Sequence, residues 1–308
     1  MVKLTRNEIL VNCGFKFDLF KKMNFETGDS IRVKRILSMA IQNKDMVCIV
    51  GDRGVGKSTA IDIALMKMNA RQVNVQSKDK ERLRIAGIEK AMVIDLSEEN
   101  PKRCQEIRAR QLRRILGEAS AKQDVVLVIE ESHRLHGNTL RALKTLREMD
   151  WMGKRELFSV VLVGQSDPMA KRGVSEVRLR SDSVVMMGLT MDEVAGYIQS
   201  TVGRMFTDEA VNMVAEHSGT SNFLDLQALV VDLMGRSLAA GLDLVDGDVV
   251  ARAMDIRREA MPRKSVARAT KKTPADQARS GNDILKSVLA TRSDAGISGN
   301  DMDKVVNG

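Results

Sequence analysis

The sequence predicts an α/β fold, a parallel sheet flanked by helices and followed by a small all-helical subdomain. Three observations carry this expectation. The octapeptide GDRGVGKS, residues 51–58, directly follows the apolar run MVCIV and opens a stretch with helical spacing, STAIDIALMKM. Apolar runs of strand length then alternate with helical stretches up to Leu189, the pattern of a doubly wound parallel sheet. From Leu189 to about residue 256 the spacing is helical.

After a polar, mixed stretch of about 25 residues, DSIRVKRILSMAIQ (29–42) reads as an amphipathic helix opened by an Asp or Ser cap. A first strand at 46–50 leads into the glycine-rich loop and its helix. A charged connector follows, then a second strand at AMVIDL (91–96) and a helix from about Pro101 to Ala119, with Pro101 suited to the first turn. VVLVI (125–129) is a run of the kind buried on both faces of a sheet. A helix over about Thr139–Met149 and a further buried strand, FSVVLVG (158–164), complete the sheet region. TMDEVAGYI, DEAVNMVAEHSG, LDLQALVVDLMGRSLA and DGDVVARAMD read as four helices with no strand among them. The expected organisation is an N-terminal extension (1–24), a nucleotide-binding core (25–189), a helical lid (190–256) and a tail (257–308) that is first basic, then polar. The tail's composition fits disorder or marginal helix.

Each residue type in GDRGVGKS has a physical reason. Gly51, Gly54 and Gly56, with Val55 between the last two, let the backbone turn tightly and aim N–H groups at phosphate oxygens. Lys57 supplies a point charge to the β- and γ-phosphates. Ser58 supplies a hydroxyl suited to Mg²⁺, and Thr59 continues into a helix whose positive end faces the anion. Glu130 and Glu131 stand at the carboxyl end of the third strand, where open α/β sheets bind their ligands. The first can order Mg²⁺ through its water shell, and the second can orient and polarise an attacking water. The plainer alternative is a pair of acids opening a solvated helix. Gln165, in LVGQSD, either holds that water or the γ-phosphate, or is a turn residue. Arg172, Arg178 and Arg180 precede the helical region as arginine-finger candidates, above all Arg178 and Arg180, or as a basic surface loop. His133 and His136 are too few for zinc and read as surface or coupling residues.

Composition narrows the partners. The chain has 49 Lys and Arg against 41 Asp and Glu, a balance of +8 that favours an anionic partner. Cys13, Cys48 and Cys104 lie far apart with no C-x-x-C spacing, which excludes a disulfide framework and a cysteine zinc site and fits a reducing cytoplasm. No apolar run approaches the roughly 18 residues of a membrane span, so no membrane association is expected. Seven Phe, one Tyr and one Trp are too few for a surface that holds single strands by stacking.

GDRGVGKS, LVIEES, LVGQ and the four-helix block resemble the AAA+ ATPases. Within that superfamily FETGDSIRVKRILSMA, VIEESHRL and RALKTLREM resemble the phage Mu B transposition proteins and related target-selecting ATPases, over about Phe25 to Asp255. The resemblance implies an ATP- and Mg²⁺-dependent ATPase that assembles on duplex DNA as a filament or ring of identical subunits, without sequence preference, and delivers that DNA to a transposase. For a phage-encoded chain it implies the cytoplasm of a bacterial host. The family has Asp where this chain has Glu130. Many AAA+ proteins carry an Arg in a G-x-P-R stretch where this chain has Asn222 in GTSNFLDLQ, and the roughly 24 residues ahead of Phe25 are too few for the helix-turn-helix of Mu B. Two basic regions are candidates for DNA. KRCQEIRARQLRR (102–114) offers Lys102, Arg103, Arg110 and Arg114, the last three able to share one helix face, or is a face paired with neighbouring acids. The tail from Arg257 to Lys272 is the second. A helicase loader and a secretion-type AAA+ ATPase are the competing functions.

Overall fold

The computed structural model describes residues 4–16, 19–21, 24–75, 79–174, 181–216 and 221–260. Strands β1 (Met46–Gly51), β2 (Arg71–Asn74), β3 (Val125–Ile129), β6 (Phe158–Gly164) and β7 (Ser181–Met186) form one parallel sheet in the order β2-β3-β6-β1-β7. A two-residue-per-strand hairpin, β4 (Asp150–Trp151) with β5 (Lys154–Arg155), stands apart from it. The register pairs Cys48 with Leu162 and Leu127 with Val160.

The two-residue strand period decides the layers. Met46, Cys48, Val125, Leu127, Ile129, Phe158, Val160 and Leu162 face one core, with Ile88, Met92, Leu112, Leu116, Leu140 and Leu143. These last residues belong to α4 (Ile85–Leu96), α5 (Gln105–Lys122) and α6 (Gly137–Arg147). The alternate residues, Val47, Ile49, Val126, Val128, Val161 and Val163, face α2 (Gly28–Asn43) and α3 (Lys57–Lys67). Helices thus cover both faces of the sheet, as the uninterrupted apolar strands require. A third core joins α7 (Met191–Val202), α8 (Asp208–Glu216), α9 (Phe223–Ala239) and α10 (Gly247–Ala260). The sheet, α7 to α9 and the part of α10 up to Asp255 lie within one compact unit, Met1–Asp255.

Several local expectations are corrected. AMVIDL is not a strand but the second half of α4, because Ile88, Met92, Val93 and Leu96 recur at helical spacing and are buried together. A short apolar run does not by itself distinguish a strand from a buried helix. The second strand is instead RQVN in the charged connector, a sheet edge where only Val73 is buried. The opposite edge, SDSVVM, was not anticipated either. Its Val184 and Met186 turn inward while Val185 is exposed.

The cap of α2 is Thr27, whose hydroxyl accepts from Ser30 N–H while Ser30 Oγ accepts from Thr27 N–H. Asp29 is buried and accepts from Gly188 N–H at 2.9 Å. Pro101 lies ahead of α5, not in its first turn, because Gln111 reaches back to bond Glu99, Asn100 and Lys102 and fixes that segment outside the helix. The N-terminal stretch read as polar contains α1 (Arg6–Asn12), with a Thr5–Glu8 capping box, and its Ile9 and Leu10 are buried in the third core. The tail beyond Ala260 falls outside the described residues.

Candidate functional site

The carboxyl ends of β1, β3 and β6 converge on a cleft of about 850 Å³. Gly54 and Gly56 take φ of 91° and 89°, left-handed values that a residue with a β-carbon adopts at a cost, and Gly56 caps α3. Lys57 Nζ donates to the carbonyls of Gly51 at 2.8 Å and Asp52 at 2.7 Å, so the loop itself holds the lysine at the cleft. Burial lowers the Lys57 pKa from its ordinary value, opposed by the charges of Glu130, Glu131 and Asp52. Ser58 Oγ donates to Glu130 Oε1 at 2.8 Å. A hydroxyl and a carboxylate from two separate motifs therefore meet as hard oxygen donors, which suits Mg²⁺ completed by waters and phosphate oxygens. Among the described residues no group of three or more His, Cys, Asp or Glu makes an all-protein metal cage, consistent with that kind of site.

Glu131 lines the same cleft beside Glu130. It is a non-glycine residue at φ 53°, ψ 34°, and it caps a 3-10 turn, Ser132–Arg134. Such a conformation costs on the order of 1–3 kcal/mol and needs surrounding structure to hold it. Here Arg134 N–H bonds to Glu131 O and the fully buried Ser132 hydroxyl bonds to Val163 O at 3.0 Å, tying the turn to the end of β6. Gln165 follows β6 and lines the cleft. Val55 and Thr59 line it as well. Glu130, Glu131, Gln165, Lys57 and Ser58 thus line one cleft. Arg178 and Arg180 lie outside the described residues, and Arg172 is exposed.

Residues 40–171 match the family described as AAA domain. Over that segment this chain resembles AAA domains. Its fold is the P-loop AAA+ fold, a parallel sheet flanked by helices with a helical C-terminal region. No curated protein matches the sequence. Among solved structures the chain is similar to Cdc6p from Pyrobaculum aerophilum, at 12% identity and a TM-score of 0.56, covering 77% of this chain and 70% of that one. The ORC2 protein of Aeropyrum pernix, in ADPNP-ADP complexes, is similar at 12% identity and TM-score 0.58, covering 79% and 72%. Drosophila ORC bound to DNA matches at 12% identity and TM-score 0.58, covering 96% and 80%.

Residues outside the matched AAA domain segment close the cleft. Phe20, Phe25, Tyr197 and Phe223, four of the nine aromatic residues of the chain, meet at its end away from the carboxylates. Phe25 and Phe223 stand edge-on to Tyr197 with centroids 5.4 and 5.2 Å away, and Phe20 stacks on it at 6.3 Å. Gln227 Nε2 donates to Tyr197 OH at 3.0 Å. Phe223 N–H also bonds to Gly54 O at 3.0 Å, and Asn222 caps α9, so the place of the absent lid arginine is an amide against the phosphate loop. Four aromatics scattered from residue 20 to residue 223 leave no local signal in the sequence.

Lys80 was also missed. It is only 7% exposed and donates to Val75 O at 2.6 Å. Val75 continues β2 beside β3, with its N–H directed at Val128 O, so the buried ammonium sits near Glu130 and Glu131. Burial lowers its pKa, and Glu130 and Glu131 oppose that shift.

The basic helix sorts into two sets. Arg108 is 3% exposed and bonds Glu89 at 2.9 Å, together with the carbonyls of Lys102 and Arg103. Arg113 pairs with Asp150, and Arg114 with Glu99 and Glu118. Lys102, Arg103 and Arg110 are exposed and make no ion pair among the described residues. Arg103 precedes α5, so it does not share a helix face with Arg110 and Arg114, contrary to expectation.

Proposed function

We propose that this chain is an ATPase whose ATP-bound form assembles as identical subunits on duplex DNA, without sequence preference, and presents that DNA to a transposase. The observation that carries the ATPase part is the meeting of Ser58 with Glu130 at 2.8 Å beside Lys57 and Glu131. Lys57 offsets phosphate charge, the N–H groups of the loop and of α3 hold the phosphates, and Glu131 orients and polarises the attacking water. Bound Mg²⁺ supplies further neutralisation of phosphate charge. The aromatic end of the cleft fits a purine base.

Duplex binding is supported by the +8 balance and by exposed Lys102, Arg103 and Arg110. Drosophila ORC, one of the similar structures, is itself bound to DNA. The transposition role is supported by the arrangement of motifs around the phosphate loop. Electron microscopy of the protein with linear duplex in ATP and in ADP tests the reading, paired with a strand-transfer assay using a transposase of the Mu type. Regular assemblies in ATP alone, and stimulated transfer, are expected. Equal binding in both nucleotides removes the switch, and preference for single strands turns the function to helicase loading.

A further inference from the structure

We propose that His133 is a positioning residue that couples the end of β6 to the water-orienting carboxylate Glu131. His133 Nδ1 accepts the backbone N–H of Gln165 at 3.3 Å, and its Nε2 lies 3.7 Å from Glu131 Oε2. The first contact fixes the tautomer. With Nδ1 accepting, the neutral imidazole carries its proton on Nε2, and that N–H faces the carboxylate. One ring therefore joins the segment that senses the γ-phosphate to the group that acts on the water.

The surroundings hold the ring to this path. The His133 side chain is 21% exposed. A β-carbon on Gly164 would stand 3.3 Å from both His133 N and His133 Nδ1 and 3.1 Å from Ser166 O, so only glycine leaves the imidazole its full approach to β6. Ser132 ties the preceding residue to Val163. Both sides of the contact are thereby stitched to the same strand end, and the left-handed Glu131 is the residue that this turn displays. A separation of 3.7 Å exceeds a hydrogen bond, and catalytic contacts of this kind tighten when substrate is bound. A γ-phosphate drawing Gln165 toward the cleft moves its N–H, the ring follows, and Nε2 closes on Oε2. The imidazole orients Glu131 for water and leaves nucleotide affinity untouched, because His133 does not itself line the cleft.

The proposal rests on the reading of Glu131 as the residue that activates water, and the experiment separates the two. His133→Phe keeps a ring of similar size without either hydrogen bond, and His133→Gln restores a donor near the Nε2 position. Single-turnover hydrolysis and the Kd for a fluorescent ATP analogue are measured for both, with a thermal melt. The expected result is a fall on the order of ten- to a hundredfold in kcat for His133→Phe, the range carried by partners that orient a catalytic group. Kd stays within twofold, and His133→Gln recovers part of the loss. A His133→Phe enzyme turning over within twofold of wild type overturns the proposal, as does a loss of nucleotide binding equal to the loss of rate. The cycle with Glu131→Gln completes the test. If His133 acts through Glu131, His133→Phe adds no further loss in the Glu131→Gln background, and full additivity refutes the coupling. A Glu131→Gln enzyme of wild-type rate refutes the reading of Glu131 instead.

Discussion

At the scale of single residues, the cleft is organised by charges already held in place before substrate arrives. Lys57 is bonded to two loop carbonyls and must exchange them for phosphate oxygens. Lys57→Ala is expected to lose on the order of 2–5 kcal/mol of triphosphate affinity, at least roughly thirtyfold in Kd, by titration with a fluorescent analogue. ATP-dependent assembly on DNA is expected to go with it. Glu131→Gln keeps the shape of the side chain but loses the carboxylate, so it is expected to bind ATP normally and to hydrolyse it about 10²- to 10⁴-fold more slowly in a phosphate-release assay. The thiols separate in the same way. Burial pushes the Cys48 thiol up to about 12, whereas backbone N–H groups of Ile107 and Glu106 lower that of exposed Cys104. Iodoacetamide at neutral pH is expected to alkylate Cys104 and to spare Cys48, read by peptide mass spectrometry; equal labelling contradicts the buried placement of β1. The phosphate-loop residues were legible in the sequence because each occupies a fixed place after a strand. Lys80 was not, since its place near Glu130 and Glu131 comes from β2 pairing with β3, and His133, read as a surface or coupling residue, gave no sign of the groups it touches.

At the scale of elements, α5 shows how a basic run divides its charge between packing and surface. Arg108 joins α5 to α4 through Glu89, both nearly out of water. Removing one member leaves a buried charge, so Glu89→Leu is expected to cost about 3–5 kcal/mol by urea unfolding, the usual range for a broken buried pair. Arg113 and Arg114 are occupied by acids of neighbouring segments, leaving Lys102, Arg103 and Arg110 for a phosphate backbone. From the sequence Arg114 was grouped with Lys102, Arg103 and Arg110, because its partner Glu99 lies outside the helix. The central strands were legible since runs such as VVLVI have no polar alternation to mislead. The edge strands RQVN and SDSVVM were not, because one covered face leaves them as polar as a loop. The apolar density of AMVIDL belongs to a helix packed between α5 and the sheet, where its period of 3.6 is hidden by how short the run is.

At the scale of the whole molecule, the proposed function links nucleotide to DNA through assembly. The cleft draws residues from the AAA domain and from α7 and α9, so a bound triphosphate spans both helical and sheet-bearing parts of one compact unit. In the proposed array each exposed cation repeats once per subunit. Duplex affinity in ATP is therefore expected to fall steeply with salt, with log K against log salt changing by about −0.9 for each phosphate neutralised. If Lys102, Arg103 and Arg110 line the DNA path, Arg103→Glu with Arg110→Glu turns two attractions per subunit into repulsions. Assembly on duplex is expected to vanish while ATP binding survives, since neither residue lines the cleft. Truncation after Ala260 removes a covalently attached basic segment whose contribution is screened by salt. It is expected to lower affinity modestly and to leave ATP-dependent assemblies visible at low salt. Binding curves at several salt concentrations, with micrographs of both variants, decide between the regions. A truncation that abolishes binding while the charge reversal preserves it assigns the DNA contact to the tail and leaves the cations of α5 as a solvated surface.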